Sequence, residues 1–132
     1  MDELIKSEDS GIISLFRDSE GNIAIPKPFE RDIFLFHCHI AGTSHIDYMD
    51  ELEPNLNIGD RLEFFREPEN PHDGRAIVVK TIDGAKIGYV PRADNVVFSR
   101  LMDAGKLLFG RIDSKKMVNN WHRIDISIFL HE

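Results

Sequence analysis

The chain has 132 residues, 42% of them hydrophobic and 30% charged, with a net charge of −7. That length suits one domain able to bury an ordinary core, and a single cysteine, Cys38, excludes an internal disulfide and a cysteine-rich zinc site. Residues 1–53 hold 12 acids and 4 bases, whereas residues 54–132 hold 11 acids and 12 bases, so no broad basic surface exists for sequence-independent duplex binding and any nucleic-acid contact must be local.

No run of about eighteen apolar residues is present, and the opening MDELIKSEDS is acidic where a signal peptide is basic and then apolar. The expectation is a soluble cytoplasmic protein without membrane association. Residues 1–32 read as an N-terminal extension, either a short helix or a hairpin in which IISLF and NIAIP flank Arg17 to Asn22. Residues 33–132 read as the main domain. Ile33 to Ala41 is its first core strand, with Phe34, Phe36, Cys38 and Ile40 on one face and Ile33, Leu35, His37 and His39 on the other. Asp47 to Leu52 suits a short helix ended by Pro54, and Arg61 to Arg66 a second strand.

Phe64 to Arg92 is the most informative stretch. FFREPENPHD breaks a β run with two prolines, an asparagine and an aspartate, residues that preset turn dihedrals or hydrogen-bond their own backbone. It therefore reads as a shaped loop. AIVVK and AKIGYV follow as short strands around Asp83-Gly84, a pair suited to a tight hairpin. Asp94 is an N-cap candidate for a helix over Asn95 to Ala104, with Gly105 at its end and Val97, Leu101 and Ala104 facing inward. The chain closes with LLFGRI and RIDISIFL, joined by the polar SKKMVNN; Ile124, Ile126, Ile128 and Leu130 alternate with Arg123, Asp125, Ser127 and Phe129 and mark a buried face. Five to six short strands with one or two accessory helices, and no helices alternating with strands, predict a mainly β fold: a small OB-like β-barrel.

The string Phe65-Arg66-Glu67-Pro68-Glu69-Asn70-Pro71-His72-Asp73, then Ala76 to Val79, then Ile87-Gly88-Tyr89-Val90-Pro91-Arg92, resembles the HIRAN domain, as do His39 to Gly42 and Asn57 to Asp60 upstream. The resemblance spans about Phe34 to Leu130. It implies an OB-like barrel of the kind found in fork-remodelling helicase-like proteins and as stand-alone bacterial chains, and a non-catalytic module that captures single-stranded DNA 3′ ends. It further implies a role at stalled or damaged replication forks in DNA repair, partnership with a helicase or repair protein, and no cofactor. Asp73 stands at the position that receives the terminal hydroxyl. His72 and His45 stand where the fork remodeller has tyrosines, and Ser44 where an arginine precedes the second of them.

Chemistry accords with that assignment, since an ionised carboxylate accepts a hydrogen bond from a hydroxyl and repels a phosphate. His72, His45 and Phe65 are candidates to pack against or stack on terminal bases. Arg66, Arg75, Lys80 and Arg92, with Lys86, could line a phosphate path; the alternative for each is a solvated face of mixed charge, because Asp60 to Arg92 holds six acids and six bases. Asp73 has its own alternative, capping the loop in which it sits. Six histidines invite a metal reading, but no ligand spacing supports one. Nucleophile elbow, phosphate-cradling glycine loop and HExxH helix are all absent from the sequence, and Val78 stands where a nuclease of the D/E-x-K type would need an acid before Lys80. The contrasting functional class is a protein-interaction domain that keeps this fold without DNA binding and uses its acidic first third to meet a partner.

Overall fold

The structure, a computed structural model, describes residues 31–132; the helix or hairpin expected in the N-terminal extension lies outside them. Strand β1 (Asp32–His39) leads through a 3-10 turn (Thr43–His45), helix α1 (Met49–Leu52) and a second 3-10 turn (Glu53–Asn55) to β2 (Arg61–Arg66). Then come β3 (Ile77–Thr81), β4 (Lys86–Tyr89), α2 (Asn95–Asp103), β5 (Leu107–Val118) and β6 (Trp121–His131). All neighbours pair antiparallel in one six-stranded sheet of order β1-β6-β5-β2-β3-β4.

The sheet curls until its two edges meet. Just past β1, the Ala41 N–H donates to the Tyr89 carbonyl at 2.8 Å, and the Tyr89 N–H donates back to Ala41 at 2.9 Å. Gly88 makes this approach possible, because a Cβ there would lie 2.5 Å from both the Ala41 carbonyl oxygen and Ile40 Cγ2. The result is the mainly β, OB-like architecture expected from the sequence, as a curled half-barrel with two short helices. Its core is aliphatic: Ile40, Leu62, Ile77, Val79, Ile87, Ile112, Ile124, Ile126 and Ile128 are fully or almost fully buried. Each such side chain contributes about 1.5–3 kcal/mol of transfer free energy.

Four local expectations need correction. In β1 the register against β6 slips between Phe34 and Phe36. That bulge breaks the period of two, so Leu35 joins Cys38 and Ile40 at the core while Phe34 and Phe36 remain exposed. In α2 the inward residues are Asn95, Phe98, Ser99, Leu101 and Met102, whereas Val97 is 62% exposed and Ala104 is exposed just past the helix. The supposed linker SKKMVNN is mostly strand: β5 runs to Val118, and Asn119-Asn120 alone turns the chain, with Asn119 at φ 56°. Helix α1 ends at Leu52 as expected but begins at Met49, two residues after Asp47, and Pro54 sits within the first two positions of the 3-10 turn that follows, where its missing N–H leaves no bond unmade.

Candidate functional site

The site begins with the loop between β2 and β3. Pairing continues one step past β2, where the Glu67 N–H donates to the Ala76 carbonyl at 3.0 Å. Asn70 then organises the tip: its Oδ1 accepts from the His72 and Asp73 N–H groups at 2.8 and 3.2 Å, and its Nδ2 donates to Glu67 Oε1 at 3.0 Å. The same Glu67 oxygen accepts from the Tyr89 hydroxyl at 2.7 Å, and Lys86 Nζ donates to that hydroxyl at 2.9 Å. The Asn70 amide, with Tyr89 and the nearby lysines assisting, outweighs burial and holds the Glu67 carboxyl below its ordinary range. Loop and hairpin are thus one hydrogen-bonded unit, as a run of Pro, Asn and Asp predicts.

Arg66 fastens this unit to α2. Its Nη1 and Nη2 donate to the carbonyls of Ala76 and Gly74 at 2.8 and 3.0 Å, while Nε and Nη2 grip the Asp103 carboxylate at 2.8 and 3.2 Å. A planar fork of donors is what makes this double attachment possible. The guanidinium in turn holds the Asp103 carboxyl below its usual range.

Asp73 lies on the wall of an open groove of about 290 Å³, lined by Ala41, Asn70, His72, Ala76, Tyr89, Val90, Arg92 and Asn95. Its side chain is 18% exposed. Oδ1 accepts the Arg75 backbone N–H at 2.9 Å, and Oδ2 accepts from Asn95 Nδ2 at 2.8 Å. Arg92 stands over the rim: its Nη2 donates to the His72 carbonyl at 3.2 Å, and its Nε lies 3.9 Å from Asp73 Oδ2. The Asn95 amide first, then the Arg75 N–H and the two arginine charges, keep the Asp73 carboxyl below its usual range. The groove therefore offers an anionic acceptor, a flat aromatic wall at Tyr89, apolar surface from Ala41, Ala76 and Val90, and the largely exposed Arg92 cation at its mouth.

Of the residues singled out in the sequence, His72, Asp73 and Arg92 come together here, with Arg75 beside them through its backbone. Ser44 and His45 sit exposed on the 3-10 turn that follows Ala41 and do not line the groove. The exposed Phe65 and the half-buried Lys80 form a separate pair, with the ammonium 5.1 Å from the ring centroid. Arg66 is committed to the loop and α2. The groove's other polar residues, Asn70, Tyr89 and Asn95, are not among the sequence candidates for the site. Tyr89 was visible within the GYVP string, whereas nothing in the sequence ties Asn95 to a loop 22 positions earlier. Among the described residues no group of three His, Cys, Asp or Glu side chains is arranged to hold a metal ion. His37 Nδ1 instead lies 3.0 Å from the Ser127 hydroxyl and 3.2 Å from Asp113, and the His39 ring packs edge-on to Trp121. Nor is any helix among the described residues long and apolar enough to cross a membrane.

Comparison with solved structures finds a protein from Lactobacillus plantarum, 25% identical, aligning over 78% of this chain and 98% of the other with a TM-score of 0.72. The HIRAN domain of human HLTF is similar in fold, at 17% identity over 76% of this chain, with a TM-score of 0.57 over 81% of the crystal structure's chain and 0.53 over 80% of the solution structure's. Among curated proteins no sequence matches. The sequence model of the HIRAN domain matches residues 33–131, all of the sheet but its first residue together with both helices, and the chain belongs to the HIRAN domain family.

Proposed function

We propose that this protein is a non-catalytic module that captures the 3′ end of single-stranded DNA in the groove beside Asp73. The observation that carries the reading is the Asp73 carboxylate, ionised and turned into an open groove of nucleoside size, with Arg92 at its mouth. A terminal 3′-hydroxyl donates to that carboxylate, whereas a 3′-phosphate meets like charge. The terminal base rests on Tyr89 or His72, a stacking contact worth about 1–3 kcal/mol per base. Arg92, 78% exposed, reaches the adjoining phosphate by exchanging its bond to the His72 carbonyl for one to the phosphate. Ser44, His45, Arg75, and the Phe65–Lys80 pair are outer contacts in this reading, reached by nucleotides further along the strand. A module that reads free 3′ ends suits stalled or damaged forks, alongside a helicase or repair enzyme in the cytoplasm.

Fluorescence anisotropy with labelled oligonucleotides tests it. A free 3′-hydroxyl end is expected to bind at least tenfold more tightly than the same strand with a 3′-phosphate or a blocked end, and Asp73→Ala is expected to erase the difference. Equal binding to all ends overturns the reading. Complete absence of binding at every salt concentration, with a protein partner co-purifying, would favour the interaction-domain class instead.

A further inference from the structure

We infer that Asn95, a residue of α2 outside the loop motif, is the positioning residue that fixes the Asp73 carboxylate as hydroxyl acceptor and so sets the preference for hydroxyl-ended over phosphate-ended strands. The inference rests on the groove reading above and names the group that gives it specificity. Asn95 is 2% exposed and is the first residue of α2. A buried amide on a helix has few rotamers, so its Nδ2 is a fixed point in the groove wall.

The three groups around the carboxylate are not equivalent. The Arg75 N–H bond to Oδ1 is the local turn that an aspartate makes with the residue two positions on. It tethers one oxygen and leaves the carboxylate free to rotate about it. Arg92 Nε, at 3.9 Å and on a largely exposed side chain, supplies charge without fixing direction. The 2.8 Å bond from Asn95 to Oδ2 is the second tether, and it comes from a different element. With both oxygens held, the remaining lone pairs face the groove in one orientation. The bond also favours the anion, in line with the lowered Asp73 pKa. An amide N–H donated to a carboxylate gains most when the acceptor is fully ionised, so Asn95 supports the state that accepts a hydroxyl and repels a phosphate.

Asn95→Ala removes the tether and leaves the loop motif intact. Affinity for a 3′-hydroxyl oligonucleotide is expected to fall about tenfold, with 3′-phosphate binding unchanged, so the ratio between the two narrows. In the DNA-free protein, the Asp73 carboxyl carbon followed by NMR is expected to titrate at higher pH in the variant than in the wild type. Asn95→Ser is the second variant, should the alanine form fail to give a native spectrum. An unchanged Asp73 titration in a folded variant overturns the positioning role, and an unchanged end preference overturns the specificity role. A wild-type chain that binds both ends equally overturns the hydroxyl reading itself, and the Asp73 titration still decides whether Asn95 positions that carboxylate.

Discussion

Arg66 and Cys38 show how much the environment of one side chain decides. Arg66 makes four hydrogen bonds, two to loop carbonyls and two to Asp103, from a side chain only 16% exposed. Arg66→Ala leaves the Ala76 and Gly74 carbonyls and the Asp103 carboxylate without these donors, and is expected to destabilise the fold by about 2–3 kcal/mol. Arg66→Lys keeps the charge without the fork and is expected to lose roughly half as much in urea denaturation. Cys38 packs against the core, and its thiol pKa is pushed up to about 12 by burial first, then by Asp94, Asp125 and Asp113. At pH 8 the native thiolate fraction is then about 10⁻⁴, so iodoacetamide is expected to label the native protein roughly a thousandfold more slowly than the urea-unfolded chain. At this scale the sequence is legible where local chemistry suffices, as for the Asn70–Asp73 loop, whose side chains bind their own backbone. It is silent where the meaning lies in a partner, as for Asn95, whose relation to Asp73 exists only once α2 packs against the loop.

At the scale of elements, the sheet edge at Gly88 governs the groove. Ala41 on one side and Tyr89 on the other are both groove residues, and their paired hydrogen bonds hold the two edges together. Gly88→Ala inserts a methyl group 2.5 Å from the Ala41 carbonyl and from Ile40 Cγ2. Backbone cannot yield as a side-chain tip does, so the edges must part, at an expected loss of about 1–3 kcal/mol in chemical denaturation. DNA affinity is expected to fall further than stability alone requires, because Ala41 and Tyr89 separate. Strand patterning together with turn signals located β2, β3, β4 and β6, although the β3–β4 pairing shifts register between Val79 and Lys80. It failed in β1, where one bulge exchanges the faces, and at SKKMVNN, where polar residues in a long hairpin look like a linker. Both failures come from interactions with a neighbouring strand, which a single strand's composition does not encode.

For the whole molecule, charge is the governing quantity. Glu67, Asp73 and Asp103 all have carboxyls held below their ordinary range by native hydrogen bonds. A depressed native pKa adds stability that is fully present above the unfolded value near 4 and is lost as pH falls through the lower native one. Urea midpoints are therefore expected to be similar at pH 7 and 5 and clearly lower at pH 3, with Asp103→Asn showing a smaller drop. Binding follows from the same charge distribution. With a net charge of −7, Arg92 at the groove mouth and only Arg75 and Lys80 as cationic outer contacts, this protein can neutralise about one to three phosphates. The logarithm of its affinity for a single strand is then expected to fall with the logarithm of salt concentration at a slope of only about −0.7 to −2.1. Affinity should also stop rising once an oligonucleotide exceeds a few nucleotides, because terminal recognition gains nothing from added backbone. A slope of −4 or steeper, measured by anisotropy between 50 and 200 mM salt, or affinity that climbs steadily with length, would mean that the chain follows the phosphate backbone and does not read its end.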